Sequence, residues 1–412
     1  MTPAARVQAA IEILESLSTS ALPADRALRQ YFRSRRYAGA KDRAAVAARV
    51  FAVYRQRAHC AWRMNSEEPR SLVIASLLAD KEDIAVLFAG GAHGPAPLSA
   101  SEAQALAAAP KDKLPLWVQG EFPRFLENDL RLRFGDALLA EMAAMQQRAP
   151  IDLRVNTLKA DRAGVGEALR ADGWSAEPVP YASTGLRIPA GASGLERSAL
   201  FLEGAFEFQD EAAQIACALC DAQPGMRVCD LAAGAGGKSL ALAATMRNRG
   251  QIIASDIAPA RLAQIAPRAA RAGATIIRTT MTPDGRFDRV LIDAPCSGSG
   301  TWRRQPDQKW RLTQERLAEF LRVQDALLDQ GARFLAPGGR LMYATCSVLP
   351  QENERRIAAF RARHPHFTVM SAASVWNHLP AHPPLNGIGE FFQASPYMTQ
   401  TDGFFTAILT RG

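Results

Sequence analysis

The 412-residue sequence has few of the features that mark membrane, secreted or disulfide-stabilised proteins. No apolar run approaches the roughly 18 residues that a membrane span requires. The first residues do not form a secretion signal, because Glu12 and Glu15 interrupt the apolar positions. Six cysteines are too few for a disulfide scaffold in a chain of this length. We therefore expect a cytoplasmic protein with free thiols, without membrane attachment and monomeric.

A metal site has little support in the sequence. Cys217 and Cys220 form a C-x-x-C pair, but they lie in the helix-like run 210–222, and neither a second pair nor a suitably spaced histidine accompanies them. Structural zinc sites need four such ligands. We expect no metal, and we expect most of the cysteines to be small buried hydrophobic residues.

The positive charge of the chain is unevenly distributed. The net charge is +8, and residues 1–60 contain 11 lysines or arginines against 4 acids, a local net charge of +7. Phosphate contacts supply most non-specific affinity for nucleic acids, so this balance favours an RNA partner. A solvated helical face is the alternative interpretation.

Hydrophobic periodicity predicts three regions. Residues 1–138 indicate a helical, basic domain with a loop at 90–97. Residues 139–205 indicate a small α+β subdomain, with strands at 153–156 and 185–188 around a helix at 162–171. From residue 206 to 412, strand and helix patterns alternate.

The alternation predicts an α/β fold, in which a parallel sheet carries helices on both faces. The predicted strands are 227–231, 252–256, 276–277, 289–293, 340–345 and 404–409. Ligands of such sheets bind beyond the carboxyl ends of the strands. That edge is where we expect Asp230, Asp256, Asp293, Cys296 and Cys346.

A glycine-rich turn follows the first strand of this region. It reads DLAAGAGGKS from Asp230. A P-loop would need glycine at Ala232, and a dinucleotide-binding turn would need glycine at Ser239, so neither signature is complete. Asp256 can bind both hydroxyls of a ribose, and no diphosphate has to be accommodated. This pattern suits S-adenosylmethionine, although a tight turn without a ligand is the alternative.

Two cysteines follow the ends of predicted strands. Cys296 stands in Asp-Ala-Pro-Cys and Cys346 in Ala-Thr-Cys-Ser. Carbon 5 of cytosine becomes nucleophilic when a thiolate adds to carbon 6, which is covalent catalysis. Asp293 is the candidate to donate a proton to N3, for which its pKa would have to be raised. The second thiol would help to remove the carbon 5 proton, and the residues alone leave open which cysteine attacks.

Several motifs occur together in one order. They are FQDEAAQ from Phe208, DLAAGAGGKS, FDRVLIDAPCSGSGTWRRQPD from Phe287, and YATCS from Tyr343, with LRVNTLK from Leu153 and DGFFTA from Asp402 further out. This combination resembles the NOL1/NOP2/Sun family of RNA cytosine-5 methyltransferases. The resemblance is strongest over residues 206–350.

The resemblance implies a Rossmann-like S-adenosylmethionine-dependent methyltransferase core, and its layout implies a NusB-like, RNA-binding N-terminal domain and a 16S ribosomal RNA substrate. It implies that Cys346 is the nucleophile and that Cys296 assists product release. DNA cytosine-5 methyltransferases use the Pro-Cys cysteine instead. The cofactor site implied by the family comprises Ala232, Ala233, Gly234, Ala235, Gly236, Gly237, Lys238, Asp256 and Asp293.

Two positions depart from the family pattern. Ala235 replaces a proline of the glycine loop. The third strand lacks the usual acid, so that either Thr279 or Thr280 supplies a weaker contact or Asp284 swings in. We expect a reduced affinity for the cofactor.

Basic and aromatic residues alternate after the Pro-Cys motif. Arg303, Arg304, Lys309 and Arg311 offer phosphate contacts, while Trp302 and Trp310 offer stacking surfaces for bases. A charged loop with two packing tryptophans is the alternative. Two other functions stay open at this point: methylation of a different substrate, and RNA binding without catalysis.

Overall fold

The computed structural model describes residues 1–20, 22–108, 113–379 and 388–411. They fall into two compact units. The helical unit comprises Met1–Arg131, Gly135–Gln146 and Gln305–Thr313, and the sheet unit comprises Leu132–Phe134, Gln147–Arg304 and Gln314–Gly412. The expected boundaries after residues 138 and 205 stay predictions. The segment 305–313, which we placed within the domain 206–412, belongs to the helical unit.

The helices, in chain order, are α1 (Pro3–Ser18), α2 (Ala24–Arg33), α3 (Ala40–Arg55), α4 (Arg57–Met64), α5 (Pro69–Ala79), α6 (Ile84–Leu87), α7 (Ala100–Ala107), α8 (Leu116–Gln119), α9 (Glu127–Phe134), α10 (Leu138–Gln146), α11 (Arg162–Ala171), α12 (Ala199–Leu202), α13 (Glu211–Leu219), α14 (Gly237–Thr245), α15 (Pro259–Leu262), α16 (Ile265–Ala272), α17 (Pro306–Arg311), α18 (Gln314–Phe334), α19 (Glu354–Arg363), α20 (Ala372–His378) and α21 (Pro396–Thr399). The strands are β1 (Ile151–Val155), β2 (Glu177–Pro178), β3 (Gly185–Ile188), β4 (Phe206–Phe208), β5 (Arg227–Asp230), β6 (Gln251–Ser255), β7 (Ile277–Thr280), β8 (Phe287–Asp293), β9 (Leu335–Thr345), β10 (Phe367–Met370), β11 (Phe392–Ala394) and β12 (Phe404–Arg411). None of the described helices is long and apolar enough to cross a membrane.

The helical unit forms because apolar residues recur at helical spacing. In α1, Val7, Ile11 and Leu14 are buried on one face, and the hydroxyl of Thr2 caps the helix by accepting the N–H of Ala5 at 3.1 Å. The inserted helix α17 packs against the same core through Trp310, whose Nε1 donates to a backbone carbonyl at 2.7 Å. The helical character expected for this part of the chain is confirmed over the described residues.

A four-stranded antiparallel sheet occupies the first part of the sheet unit, in the order β2-β3-β1-β4. Alternate residues of β1, Leu153 and Val155, are buried against Val165 and Leu169 of α11. Asp161 begins that helix by accepting the N–H of Gly164 at 2.9 Å. Both strands and the helix predicted here are present, and β2 and β4 were not anticipated.

The large sheet has the order β10-β12-β9-β8-β5-β6-β7, with β11 beside β12. Strands β5 to β9 are parallel, as the alternating pattern predicted, whereas β12 runs antiparallel to β9 and to both β10 and β11. A short connection through α21 joins β11 to β12, and short connections favour antiparallel pairing. Strands β6 and β7 are added on one side of β5, and β8 and β9 on the other. In parallel sheets such a change of side leaves a crevice at the carboxyl ends of the two strands that flank it, here β5 and β8.

Both faces of the parallel sheet are covered by helices. Successive residues of β5 point to opposite faces, so Val228 packs in a cluster with α13, α14, α16 and α20, while Cys229 packs in a cluster with α18 and α19. Because both faces are buried, polar side chains are left to the strand ends. Asp230 and Asp293 are the last residues of β5 and β8, and Asp256, Cys296 and Cys346 come just after β6, β8 and β9.

Candidate active site

The glycine loop lies between β5 and α14. Gly234 and Gly236 have positive φ values of 54° and 82°. At Gly236 a Cβ would lie 2.9 Å from the side chain of Ile265, so a larger residue would collide there. The loop therefore brings unencumbered backbone to the beginning of a helix, which suits a ligand that approaches the main chain closely.

Asp256 follows β6 and holds this loop in place. Its Oδ2 accepts the N–H of Gly234 at 3.0 Å, and its Oδ1 accepts the N–H of Ala258 at 2.8 Å. The residue is 6% exposed. An oxygen of a carboxylate has two lone pairs, so the remaining acceptor capacity is available to a ligand's hydroxyl groups.

Asp230, at the end of β5, is fully buried. Its Oδ2 accepts the hydroxyl of Ser239 at 2.6 Å, while its Oδ1 has no hydrogen-bond partner among the described residues. Burial raises the pKa of Asp230 to about 7, and the hydroxyl of Ser239 offsets part of this effect. An unsatisfied buried carboxylate oxygen beside the glycine loop is a feature that needs an explanation, and a ligand's donor would supply one.

Lys238 and Asp293 form an ion pair at the centre of the strand ends. Lys238 Nζ lies 2.6 Å from Asp293 Oδ2. Burial alone would lower the pKa of Lys238, but the carboxylate of Asp293 outweighs it and the pKa is raised. The pair brings an ammonium and a carboxyl group together at this edge of the sheet. The donation of a proton from Asp293 to N3 stays a prediction.

The two cysteines lie side by side. Cys296 Sγ and Cys346 Sγ are 3.4 Å apart, and both residues are partly exposed. They meet because β8 and β9 are parallel neighbours. The pairing also extends one residue beyond β8, where the N–H of Ala294 donates to the carbonyl of Ala344 at 2.9 Å. The expected juxtaposition of the thiols is confirmed.

The surroundings of the two thiols are unequal. The pKa of Cys296 is raised well above its usual value, first by the hydrogen bond to Cys346, then by burial and by the carboxylate of Glu352. A thiol with a raised pKa is harder to ionise, and either sulfur can be the donor in the contact between the two.

Sequence reasoning missed the residues that shape the Thr-Cys loop. Asn353 is buried; its Oδ1 accepts the hydroxyl of Thr345 at 2.6 Å, and its Nδ2 donates to the carbonyl of Ser347 at 2.8 Å. The carbonyl of Cys346 accepts the N–H of Gly300, which ties it to the Pro-Cys loop. The sequence shows these residues only as an adjacent Glu352 and Asn353 in a loop, and that pair by itself does not indicate a function.

The four predicted RNA contacts are divided between the units. In the sheet unit, Arg303 is 6% exposed and pairs with Asp402 at 2.7 Å, and Arg304 pairs with Asp402 and with Asp210 at 2.9 Å. Arg303 is therefore too buried to meet a phosphate in this arrangement, whereas Arg304 keeps part of its side chain at the surface. Trp302 is 1% exposed, so its ring is not a stacking surface in this arrangement.

The other two predicted contacts belong to the helical unit. Lys309 is 1% exposed, and its pKa is lowered to about 7 by burial, an effect that the carboxylate of Glu121 partly offsets. Arg311 lies 3.6 Å from Asp307 with its side chain 37% exposed. Of the four cations, Arg311 is the one whose side chain reaches solvent most, ahead of Arg304 at 30%.

The third strand carries no buried acid near its end. Thr279 is exposed, Thr280 is half-buried, and Asp284 is exposed with its Oδ1 accepting the N–H of Gly285 at 2.7 Å. Ile257 and Met281 are 88% and 55% exposed. Neither of the threonines nor Asp284 contacts the glycine loop among the described hydrogen bonds.

Two known protein families match the sequence over most of the sheet unit. The family described as 16S rRNA methyltransferase RsmB/F matches residues 217–410, and a Methyltr_RsmF/B-like, ferredoxin-like domain matches residues 122–193. The second match contains β1 to β3 of the small sheet.

Individual proteins show the same likeness. The probable ribosomal RNA small subunit methyltransferase B of Synechocystis sp. is 31% identical over 311 residues, which cover 73% of this chain and 69% of that protein. The ribosomal RNA small subunit methyltransferase B of Citrobacter koseri is 33% identical over 301 residues, 70% of this chain and 66% of that protein. The crystal structure of PH0851 superimposes with a TM-score of 0.78 at 25% identity, covering 100% of this chain and 99% of that one.

Proposed function

Because this chain belongs to the 16S rRNA methyltransferase RsmB/F family, we propose that it transfers a methyl group from S-adenosylmethionine to carbon 5 of a cytosine in ribosomal RNA. The observation that carries the proposal is the pair of thiols, Cys296 and Cys346, 3.4 Å apart just after the ends of β8 and β9. Methyl transfer to oxygen or nitrogen needs no thiol, whereas carbon 5 of cytosine does, because the ring must first be activated.

The cofactor site would be formed by the glycine loop with Asp256 and Asp230. The loop fits a nucleoside cofactor because its backbone is unobstructed at Gly234, where an added Cβ would meet nothing within 4 Å. Asp256 would accept the ribose hydroxyls, and the unpartnered Oδ1 of Asp230 would accept a donor of the cofactor. When bound, the cofactor supplies an electrophilic methyl group.

Cys346 is the proposed nucleophile. Its thiolate forms a bond to carbon 6 of the cytosine, and the electron pair of the 5,6 double bond then makes carbon 5 nucleophilic. The thiol of Cys296 donates a hydrogen bond to Cys346 before the attack, which stabilises the thiolate. The base must be unpaired or extruded from a helix, since a stacked cytosine cannot present carbon 6.

Cys296 is the proposed group for the release step. Its pKa is raised chiefly by its hydrogen bond to Cys346. Once Cys346 is bonded to carbon it no longer attracts the proton of Cys296, so Cys296 ionises more readily. A Cys296 thiolate can then remove the carbon 5 proton, after which the bond from sulfur to carbon 6 breaks and Cys346 regains its electron pair.

The Lys238–Asp293 pair is proposed to bind the polar edge of the cytosine. A carboxylate is a natural acceptor for the 4-amino group of cytosine, and the neighbouring ammonium is a donor for N3 as negative charge develops there. In this proposal Lys238, whose Nζ lies 2.6 Å from Asp293 Oδ2, takes the role of N3 donor that the sequence analysis gave to Asp293.

Bisulfite sequencing of total RNA tests the proposal. Cells that carry the gene should show a protected cytosine in ribosomal RNA that is lost on deletion and regained with the wild-type gene, but not with Cys346→Ala. If cells with and without the gene differ instead in another methylated base, a different substrate would be favoured. Unchanged RNA modification together with RNA binding by the purified protein would favour a non-catalytic role.

A further inference from the structure

A buried carboxylate lies behind the two thiols. Glu352, in the loop between β9 and α19, has no exposed surface. Its Oε1 accepts the N–H of Ser297 at 2.8 Å and the amide of Gln324 at 3.0 Å. Its Oε2 accepts the hydroxyls of both Ser297 and Ser347. Both oxygens are therefore satisfied, as a buried carboxylate requires.

Two of the three residues that bond the Glu352 carboxylate directly follow the cysteines in sequence. Ser297 follows Cys296 at the end of β8, and Ser347 follows Cys346 at the end of β9. One side chain thus binds both loops that carry sulfur. Ser299 extends the connection, since its hydroxyl lies 2.9 Å from that of Ser347 and accepts the N–H of Val348 at 3.0 Å.

We propose that Glu352 is a positioning residue whose carboxylate fixes the two cysteine loops at the separation that the thiol chemistry needs. For its catalytic consequence the inference rests on the proposed function, but the geometry of the thiols can be measured without any methyl transfer. Hydrogen bonds to a buried carboxylate are charge-assisted and short, so they restrain a loop more firmly than bonds between neutral groups.

The charge of Glu352 also acts on Cys296. It contributes to the raised pKa of that thiol, after the hydrogen bond to Cys346 and burial. Two other charged groups near this cluster, Arg356 and Asp325, pair with each other at 2.6 Å. Removing the carboxylate should therefore make Cys296 easier to ionise, whereas a residue that serves only packing would leave this titration unchanged.

Three variants separate these contributions. Glu352→Gln keeps the shape and removes the charge, Glu352→Ala removes all the hydrogen bonds, and Glu354→Gln is the control. Glu354 pairs with Arg133 at 2.8 Å and bonds neither cysteine loop. The readouts are the rate at which diamide, a thiol oxidant, joins Cys296 to Cys346, and the ionisation of Cys296 followed by iodoacetamide in a Cys346→Ala background.

We expect Glu352→Ala to slow disulfide formation about tenfold or more, since displacements of about 1 Å are enough to cost a reaction 100-fold. Glu352→Gln should lower the pKa of Cys296 and slow the oxidation less, and Glu354→Gln should match the wild type. If Glu352→Ala does not fold, the oxidation rates of Glu352→Gln and Ser347→Ala test the inference in its place.

A folded Glu352→Ala, or in its place a folded Ser347→Ala, that oxidises at the wild-type rate would overturn the inference, as would an unchanged Cys296 titration in Glu352→Gln. The proposed function fails by a different result, namely a wild-type protein that methylates no RNA. That result leaves both thiol measurements valid.

Discussion

Each cysteine of this protein has a reactivity set by what surrounds its sulfur. Burial raises the pKa of Cys217 to about 11 and of Cys60, Cys220 and Cys229 to about 12, so these four thiols are protonated at neutral pH. Cys217 and Cys220, the C-x-x-C pair, are among these buried residues. Cys296 and Cys346, at the strand ends, are the two partly exposed cysteines.

The roles of the two accessible cysteines can be separated by substitution. Cys346→Ala should form no covalent adduct with RNA and no product, because addition is the first step. Cys296→Ala should add and methylate but then stall, since the carbon 5 proton must leave last. Denaturing gel electrophoresis should show a protein–RNA band for Cys296→Ala. A band for Cys346→Ala alone would exchange the two roles.

Substitution of Asp256 should reduce the affinity for the cofactor more than substitution of any other residue named above. Asp256→Ala should weaken binding of S-adenosylhomocysteine by about 1.5–3 kcal/mol, the range for hydrogen bonds to a charged group. Part of the loss would come from the glycine loop, because the same carboxylate holds the N–H of Gly234. Titration calorimetry measures the change, with Asp172→Ala, at an exposed acid after α11, as the control. Equal affinities in all three proteins would remove Asp256 from the site.

At the scale of single elements, β5 ends in Asp230, a buried carboxyl group whose ionised form destabilises the folded state. Burial raises the pKa of Asp230 from 3.8 to about 7. The folded state therefore holds this proton more tightly than the unfolded state. The stability that the proton gives is present at low pH and is lost as the pH rises from about 4 to about 7.

Asp230→Asn removes this titration. The free energy of unfolding of Asp230→Asn relative to the wild type should therefore increase as the pH rises from about 4 to about 7 and stay constant above it. Urea unfolding at a series of pH values measures the difference, and Asp284→Asn is the matched control. A difference independent of pH would mean that Asp230 is not titrating in the folded protein.

At the scale of the whole molecule, the basic charge of the N-terminal region has a defined location in the helical unit. Arg26 and Arg33 are exposed on α2, and Arg36 is exposed just after it. Deleting residues 1–138 would test the role of this charge, but it would also remove the backbone carbonyl of Tyr54 that binds Trp310. Substitution is the cleaner experiment.

The variant carrying Arg26→Gln, Arg33→Gln and Arg36→Gln should bind RNA more weakly. Each lost phosphate contact should reduce the slope of log affinity against log salt by about 0.7–0.9, because fewer counterions are released. Filter binding across a salt series measures the slope, and Arg316→Gln, Arg322→Gln and Arg333→Gln on α18 remove the same charge elsewhere. An unchanged slope would mean that the arginines only solvate the surface.

The sequence by itself determined the alternation of helices with the parallel strands β5 to β9 and the residues at the ends of those strands. Alternation of apolar residues is a local property, and so is the requirement for glycine at positive φ in the loop after β5. Parallel strands place their carboxyl ends at one edge, so the meeting of Cys296 with Cys346 followed from the pattern alone. The antiparallel β12 did not, because strand direction depends on which neighbour the chain returns to.

Only the tertiary structure decided what the basic residues after the Pro-Cys motif do. Arg303 pairs with Asp402, a residue 99 positions away, and Lys309 is buried in the helical unit although it lies between segments of the sheet unit. The same holds for Lys238, which pairs with Asp293 from a different element, and for Glu352, whose partners include a residue from each cysteine loop. Burial and ion pairing depend on residues brought together from distant parts of the chain, so no local pattern records them.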